Sequence, residues 1–402
     1  MARQGERLAT AKGHADSLAS VLICVDSFLD GGAEMFAIRL ANHLATSARV
    51  CFLALRPWRT KDNKQHTLLD HARVSVIALT GNPVVDVVFK FLLRLSRYSW
   101  TLYRLAMAGR LLFVCKIHRI RIVHSHSWET DEAFAALKSR GGFRLVSTLH
   151  GHYELPHDDE QSKRQLESAD AVVYLSPQQL VTLDKYAVPT VKRSKIFNGI
   201  PFQMARLTTT YQPHEKLRLV MAARGIPEKG WAEALEAVAA IHRDLGDVVT
   251  IDLLGAGPVL DRLRQEYKDH SYIRFLGYCQ NIMPIVQEAH IGLLPSYFQA
   301  ESLPNSISEY LTCGKPVIAT DVGAIREMVT HDADVAGIVL PLDRSRGALS
   351  AQVKNAILEY VWDADRVSRD SAIALRAAQK FQMQACVERY LELYKNLLRC
   401  DG

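Results

Sequence analysis

The sequence contains no C-x-x-C pair, no Cys/His cluster with the spacing of metal ligands, and no uncharged run of the roughly 20 residues that a membrane-spanning helix requires. Its seven cysteines are scattered and odd in number, which disfavours a disulfide framework and predicts a reduced, cytoplasmic protein. Residues 1–19 are polar and mixed in charge, and the apolar run that follows them is too short for the core of a signal peptide. We therefore expect a flexible leader at 1–19, no metal site and no secretion.

Length and composition indicate an ordinary folded protein of two domains. At 402 residues the chain exceeds what one hydrophobic core usually supports, and its fractions of 48% hydrophobic and 23% charged residues exclude a disordered chain. Short apolar runs alternate with helical patterns throughout, which predicts an α/β protein with two doubly wound, Rossmann-like domains. Pro201 and Pro213 bracket a polar segment that is typical of a linker. We place the first domain at 20–204, the second at 205–375 and a C-terminal helix at 376–402.

The expected strands are those of two parallel sheets. They lie at residues 20–25, 49–54, 74–78, 120–124, 143–149, 171–175 and 194–197 in the N-terminal half, and at 217–222, 248–254, 273–277, 291–295, 317–319 and 337–340 in the C-terminal half. The last helical stretch, 381–398, has apolar residues at helical spacing and is expected to pack on another element.

The segment 293–310 places an apolar strand before a loop with Glu301 and a helix with Glu309. Pro304 suits the first helical position, and a helix N-terminus attracts anions, so a diphosphate is the natural occupant. The two acids would then bracket a nucleotide sugar, one on sugar hydroxyls and the other on ribose hydroxyls. The alternative is that two surface glutamates fall eight apart by chance. The residues expected to line the diphosphate at this helix start are Leu303, Pro304, Asn305 and Ser306.

Two further loops follow predicted strands. One carries Arg224 and Lys229, whose guanidinium fork and ammonium group can hold a diphosphate and stabilise it as a leaving group. The alternative for this pair is a solvated loop. The other loop, 26–34, contains Gly31 and Gly32, which let the backbone approach a phosphate closely, although glycine pairs also serve as simple turns.

Histidines cluster after two predicted strands, as His124 and His126 and as His150 and His152. In an open α/β sheet the carboxyl ends of the strands line the binding crevice, so these side chains are candidates for a site. For any one of them the alternative is a structural histidine whose hydrogen bonds are satisfied within the fold.

The spacing of Glu301 and Glu309 resembles the E-x7-E signature of retaining glycosyltransferases with the GT-B fold, especially glycosyltransferase family 4. Ser302 stands where that family usually has glycine, and its side chain could narrow the sugar pocket or shift the loop. The spacing of Arg224 and Lys229 resembles the Arg-x4-Lys-Gly motif of the same family. The Gly31-Gly32 loop resembles its first glycine-rich loop.

The resemblance implies a GT-B architecture in which the two domains face each other across a cleft, with the donor in the C-terminal domain and the acceptor in the N-terminal one. His126 and His150 match family positions that face the donor sugar and the acceptor, so with Glu301 they are the expected catalytic residues. Gly32 is expected near the donor phosphate. No aspartate cluster for Mg²⁺ accompanies the motifs, so we expect cations of the protein to neutralise the diphosphate, with no cofactor. The resemblance also implies that the anomeric configuration is retained.

The window 83–121 is strongly basic, with eight Lys/Arg residues against the single acid Asp86, interleaved with aromatic residues and leucines. Helices of this kind can lie on an anionic membrane. The alternative is an ordinary half-buried pair of helices with a basic solvent face. Because no nucleic-acid-binding motif accompanies the charge, we expect no nucleic-acid partner.

These features predict a hexosyltransferase that moves a sugar from a nucleotide-diphosphate donor to a saccharide or lipid-linked acceptor, in polysaccharide or glycolipid assembly. We expect the protein in the cytoplasm. Our hypothesis is that the basic window 83–121 also attaches it to the inner face of the cell membrane. Two alternatives remain open: a nucleotide-sugar epimerase of the same fold, and a non-catalytic protein that binds sugar nucleotides.

Overall fold

A computed structural model of the chain describes residues 20–28, 31–55, 64–77, 100–151, 159–201, 211–212, 214–343, 345 and 347–399. The predicted leader, most of the predicted linker, His152 and the first part of the basic window lie outside the described residues. No helix in the part of the chain that the structure describes is both long and apolar enough to cross a membrane.

Seven parallel strands form the first sheet, in the order β3-β2-β1-β4-β5-β6-β7. Successive residues of the central strand β1 enter two separate hydrophobic cores, one on each face of the sheet. Both faces of this strand are therefore buried, which explains its unbroken apolar sequence. The strands are β1 Ser20–Val25, β2 Val50–Ala54, β3 Val74–Ile77, β4 Ile120–Ser125, β5 Arg144–Thr148, β6 Ala171–Tyr174 and β7 Arg193–Lys195.

Helices connect these strands in the crossovers that parallel pairing requires. Short 3₁₀ turns lie at Lys64–Leu68 and Thr190–Lys192. The helices are α1 Gly32–Leu44, α2 Trp100–Ile117, α3 Trp128–Ala135, α4 Lys138–Gly141, α5 Asp159–Ser168 and α6 Pro177–Lys185.

Six parallel strands form the second sheet, in the order β10-β9-β8-β11-β12-β15. Its strands are β8 Leu217–Ala222, β9 Val249–Leu254, β10 Ile273–Gly277, β11 Ile291–Leu294, β12 Val317–Thr320 and β15 Gly337–Leu340, and a separate antiparallel pair is made by β13 Thr330–His331 and β14 Asp334–Val335. The remaining helices are α7 Trp231–Leu245, α8 Pro258–Glu266, α9 Met283–Glu288, α10 Asn305–Thr312, α11 Ile325–Val329, α12 Ala348–Trp362, α13 Ala364–Ala378 and α14 Met383–Arg399, with 3₁₀ turns at Pro227–Lys229 and Gln379–Phe381.

The chain divides into two compact units. The first contains the described residues up to Leu175, Gln179–Pro201 and the chain from Met383 onward, and the second contains the described residues between. Each unit is built around one of the two doubly wound parallel sheets, which confirms the predicted α/β class with two Rossmann-like domains.

The helix α14 joins the core of the first unit, although it is the last helix among the residues that the structure describes. It packs against α1, and its buried residues share a hydrophobic cluster with α1 and β1. A Cβ atom on Gly199 would lie 2.7 Å from the Cα atom of Met383, so the backbone before residue 200 and the start of α14 are in close contact. The backbone N–H of Met383 also donates to the carbonyl oxygen of Ile200 at 3.3 Å.

Two local expectations differ from the structure. The strands β13 and β14 were not expected, because strands of two residues are too short to show a period of alternation. The helix expected to begin at Pro304 begins at Asn305, and Pro304 occupies the N-cap position with an extended ψ of 118°. An N-cap residue keeps non-helical dihedrals, so proline fits there as well as at the first helical position.

The order of strands in each sheet fixes where a ligand can bind. The winding reverses between β1 and β4 in the first sheet and between β8 and β11 in the second. Loops that leave neighbouring strands in opposite directions open a crevice at the carboxyl ends of those strands. The sequence motifs with Gly31, His126, Arg224 and Glu301 follow β1, β4, β8 and β11 and therefore lie at these two points, whereas His150 follows β5, the neighbour of β4.

The helix α10 is held against the second sheet by Tyr310. This side chain is fully buried, and its hydroxyl group accepts a hydrogen bond from the backbone N–H of Ala222 at 2.7 Å. A Cβ atom on Gly292 would lie 2.2 Å from the Tyr310 ring, so glycine is needed in β11 for the ring to fit. The contact fixes the helix that follows the Glu301 loop.

Replacing Gly292 with alanine is expected to destabilise the second unit, because the buried Tyr310 ring cannot move away from the new methyl group. Overpacking of this kind costs about 1–3 kcal/mol. Chemical denaturation measures the change. Gly109→Ala is the matched control: no atom lies within 4 Å of its added Cβ, and alanine favours α2, so stability is expected to stay or to rise by up to about 1 kcal/mol. A Gly292→Ala variant as stable as wild type would contradict the close contact.

Candidate functional site

The loop after β8 is joined to its neighbours through glycines. The N–H of Gly225 donates to the carbonyl oxygen of Ala256 at 2.9 Å, and a Cβ atom on Gly225 would lie 2.6 Å from that oxygen. Gly230 has a φ of +80°, and a Cβ there would lie 2.1 Å from the carbonyl oxygen of Pro295. The loop that carries Arg224 and Lys229 is therefore fixed against the loops that follow β9 and β11.

Lys229 and Glu301 form a buried ion pair. Both side chains are 8% exposed, and the Nζ of Lys229 lies 2.5 Å from the Oε2 of Glu301. The Ser296 hydroxyl donates to the same carboxylate oxygen at 2.9 Å. The structure thus joins a cation of the β8 loop to the acid of the β11 loop.

Burial lowers the pKa of Lys229, and the neighbouring Glu301 carboxylate opposes this change. Removing two charges from water is costly unless each meets an opposite charge and makes further hydrogen bonds. Here the Ser296 hydroxyl supplies one such hydrogen bond to Glu301. The charge of Lys229 is thus compensated within the fold by Glu301.

Phe298 connects the two cations of the β8 loop. The guanidinium carbon of Arg224 lies 5.4 Å from the centre of the Phe298 ring, and the Nζ of Lys229 lies 4.9 Å from it. Both separations are within the range of a cation–π contact. Arg224 itself is exposed, so one cation is buried with Glu301 and the other faces solvent. Neither Phe298 nor Ser296 was expected at the site, although both belong to the motif segment.

The loop after β12 supports the Glu301 loop. Gly323 has a φ of +60°, and a Cβ atom there would lie 2.6 Å from the carbonyl oxygen of Ser302. The N–H of Ala324 donates to the same oxygen at 2.8 Å, and Thr320 donates to the carbonyl oxygen of Ser296. Ser302 is 3% exposed, and its hydroxyl has no hydrogen-bond partner among the described residues.

The start of α10 follows this loop directly. Leu303 and Pro304 are buried, Asn305 and Ser306 are half-buried, and Glu309 is half-buried further along the helix. Backbone N–H groups in the first turn of a helix lack partners within the helix. The chain thus places one acid in the loop, the other in the helix, and a helix N-terminus between them.

The start of α1 lies at the reversal point of the first sheet. Gly31 is the N-cap residue with an ordinary φ of −110°, and Gly32 is the first residue of the helix. A Cβ atom on Gly31 would lie 2.1 Å from the Oε2 of Glu34, so the carboxylate of Glu34 lies over the N-cap. A phosphate bound here would lie close to this carboxylate, and Gly32 near the donor phosphate stays a prediction.

Three of the four predicted histidines are brought together at the carboxyl ends of β4 and β5. The ring centres of His124 and His126 are 4.1 Å apart, and those of His126 and His150 are 5.2 Å apart. The Nδ1 of His126 lies 2.9 Å from the Nε2 of His150. Burial lowers the pKa of His124 and of His150 to about 3 and that of His126 well below its ordinary value. All three are therefore neutral near pH 7.

Models of two glycosyltransferase families match the chain. The model described as Glycosyltransferase Family 4 matches residues 30–203, and the model described as Glycosyl transferases group 1 matches residues 216–358. Together the two matches span most of the chain.

Several curated proteins are similar in sequence. N-acetyl-alpha-D-glucosaminyl L-malate synthase of Bacillus anthracis is 22% identical over 327 residues, which cover 76% of this chain and 82% of that protein. The GDP-mannose-dependent alpha-(1-6)-phosphatidylinositol monomannoside mannosyltransferase of Mycobacterium tuberculosis is 24% identical over 290 residues, 64% of this chain and 72% of that protein. An uncharacterised glycosyltransferase of Bacillus subtilis is 26% identical over 236 residues, and the match spans 53% of this chain and 62% of that protein.

Solved structures share the fold. HepE of Anabaena, in complex with UDP, has a TM-score of 0.72 at 18% identity and covers 94% of this chain and 100% of its own. A glycosyltransferase of Rickettsia africae has a TM-score of 0.74 at 16% identity and covers 95% and 99%. At these identities the structural similarity shows only the fold, and it confirms the predicted GT-B class.

Acid is expected to destabilise the first unit, because His124 and His150 stay neutral in the fold but bind protons with a pKa near 6.5 once unfolded. The contribution of these histidines to the free energy of unfolding is therefore fully present above pH 6.5. It is lost as the pH falls below that value, by about 2 kcal/mol for each histidine at pH 5. Denaturant unfolding at pH 7 and pH 5 measures the loss.

The exposed His71 provides the control for this measurement. A His71→Asn variant should show the same difference in the free energy of unfolding between pH 7 and pH 5 as the wild-type protein, whereas His150→Asn should show a smaller difference. Equal stability of the wild-type protein at pH 7 and pH 5 would contradict the neutral state of the buried histidines.

Proposed function

The chain belongs to the GT-B glycosyltransferases that the group 1 and family 4 models describe, and we propose that it transfers a hexose from a nucleotide-diphosphate donor with retention of the anomeric configuration. The acceptor in this proposal is a saccharide or a lipid-linked saccharide, and the product enters polysaccharide or glycolipid assembly. One observation carries the proposal: the buried Lys229–Glu301 pair at the reversal point of the second sheet, with Arg224 exposed beside it.

The second unit binds the donor in this proposal. In this proposal Arg224, which faces solvent, binds the diphosphate together with Lys229, which contacts the same Phe298 ring and is held by Glu301. The start of α10 adds its backbone N–H groups from Leu303 to Ser306 to the same anion. The complexes of HepE with UDP and with UDP-glucose support a nucleotide sugar as the donor class.

Charge develops on the diphosphate as the bond to the sugar breaks. Arg224, Lys229 and the α10 start stabilise that charge, which lowers the barrier because these groups are already in place before the reaction. Arg224 is fixed at its backbone, where its carbonyl oxygen accepts from the Trp231 indole at 2.9 Å. Glu301 binds hydroxyl groups of the transferred sugar, and Glu309 binds those of the ribose.

The first unit binds the acceptor. We assign residues 20–204 to this acceptor-side domain, 205–375 to the donor-binding domain, and 376–402 to the helix that completes the acceptor side. The packing of α14 against α1 supports the last assignment. His126 and His150 are the acceptor-side residues in the proposal.

Glu301→Gln is expected to lower kcat by about 10²–10³, because the ion pair with Lys229 and the charged contact to the sugar are both lost while the shape is kept. Arg224→Ala is expected to raise KM for the donor as well as to lower kcat. Nucleotide release from UDP-, GDP- and ADP-sugars, with and without an acceptor extract, measures both changes.

Glu266→Gln and Arg262→Ala, at exposed positions of α8, are the matched controls and should behave as wild type. Full activity of Glu301→Gln and Arg224→Ala would remove the assignment of this site. Sugar interconversion without nucleotide loss would identify an epimerase, and tight donor binding without any turnover would identify a non-catalytic binding protein.

We also propose that the first unit attaches to an anionic membrane surface through α2 and the residues after it. Phe113 and Ile117 lie one helical turn apart on α2, and they are 56% and 59% exposed. Lys116 and Arg121 are exposed close to them in the chain. Apolar side chains flanked by cations suit the boundary between lipid headgroups and acyl chains.

The double variant Phe113→Ser, Ile117→Ser is expected to weaken binding to vesicles that contain phosphatidylglycerol by at least about tenfold, because two apolar side chains no longer enter the lipid. Sedimentation with vesicles at low salt measures the affinity. Val191→Ser is the control, since Val191 is 92% exposed on another element. If the wild-type protein binds such vesicles no better than pure phosphatidylcholine vesicles, the membrane proposal fails.

A further inference from the structure

The histidine stack of the first unit becomes less buried from one ring to the next. His124 is 0% exposed, His126 is 2% exposed and His150 is half-buried. The Phe36 ring lies 5.8 Å from both His126 and His150 and packs beside the outer part of the stack. Of the three histidines, His150 is therefore the one that a ligand can reach, and the other two lie behind it.

The inner ring is fixed by hydroxyl groups on both sides. The Nδ1 of His124 lies 2.7 Å from the hydroxyl of Tyr394, and its Nε2 lies 2.7 Å from the hydroxyl of Thr148. The Thr148 hydroxyl lies in turn 3.3 Å from the hydroxyl of Tyr390. A neutral imidazole has one donor and one acceptor nitrogen, and a hydroxyl can serve either, so His124 is fully satisfied without a charge. Both tyrosines belong to α14 and are fully buried.

The outer pair is joined by a single hydrogen bond between two nitrogens. The Nδ1 of His126 and the Nε2 of His150 are 2.9 Å apart, so one of them carries the proton and the other accepts it. The Nε2 of His126 is buried and has no partner among the described residues. Buried N–H groups without a partner are rare in folded proteins. A buried N–H group without a partner is avoided when the proton of His126 lies on Nδ1 and its Nε2 carries none.

This assignment determines the state of His150. Because His126 donates through Nδ1, the Nε2 of His150 is the acceptor, and the proton of the neutral His150 ring lies on its Nδ1. The low pKa of His150, which burial brings to about 3, keeps the ring neutral. Its only lone pair is thus already occupied.

We infer that His150 acts as a neutral hydrogen-bond donor through Nδ1 toward an oxygen atom of the bound substrate, and that His126 is a positioning residue that fixes this tautomer. The inference rests on the proposed function for the identity of the substrate, a sugar hydroxyl or phosphate oxygen. With its lone pair bonded to His126, His150 does not take the proton of the attacking hydroxyl. His124, Thr148 and the two tyrosines of α14 hold the stack in place from behind.

Two substitutions of His126 separate positioning from simple packing. The side-chain nitrogen of asparagine is bonded to Cγ, as Nδ1 of histidine is, so His126→Asn keeps a donor directed at His150. In glutamine the nitrogen is bonded one atom further out, so His126→Gln moves the donor away. Loss of one hydrogen bond of this strength corresponds to a change of about tenfold, so kcat of the glutamine variant is expected to be about tenfold or more below that of the asparagine variant. Thermal denaturation should show similar Tm values for the two.

The tautomer can be measured without any assay of activity. In protein labelled with ¹⁵N at the histidine rings, NMR at pH 7 is expected to show a proton on Nδ1 of His150 and on Nδ1 of His126. A proton on Nε2 of His150 would overturn the inference, even if sugar transfer is established. So would equal kcat values for the asparagine and glutamine variants. Absence of sugar transfer with the NMR result as expected would instead remove the proposed function and leave the tautomer in place.

Discussion

The ion pair of Lys229 and Glu301 connects the two loops on which the candidate donor site depends. One loop leaves β8 and the other leaves β11, and these strands are neighbours at the point where the second sheet reverses its winding. The pair is short, buried and supported by Ser296, and it lies beneath the ring of Phe298 that also contacts Arg224. A buried lysine of this kind is costly without its partner, so the position of each loop depends on the other.

Much of the fold and part of this site could be predicted from the sequence, because the signals are local. Parallel strands buried on both faces give apolar runs, and the E-x7-E spacing and the two cations each lie within a single strand and loop. The pairing of Lys229 with Glu301 could not be predicted in the same way, since it joins residues 72 apart in the chain. The contact of His124 with Tyr394 spans 270 residues and leaves no pattern in either segment.

Glycines show how one residue type serves different needs. Gly31, which the sequence predicts in a phosphate loop, has an ordinary φ and lies against the carboxylate of Glu34. Gly230 and Gly323, by contrast, have positive φ values. Gly230 lies against the backbone of Pro295, which directly follows β11, and Gly323 lies against the backbone of Glu301 and Ser302. The glycines that matter for the donor site are thus those that allow backbone segments to meet, and such contacts become visible only once the sheet is assembled.

The position of α14 has a consequence for biosynthesis. The chain emerges from the ribosome from its N-terminus, so the second unit is complete before the residues from Met383 onward have been made. Until then α1 lacks the helix that covers it, and the histidines lack the hydroxyls of Tyr390 and Tyr394. The first unit to begin synthesis is therefore the last to close, and a chain released before Met383 has a complete second sheet and a first unit without its covering helix.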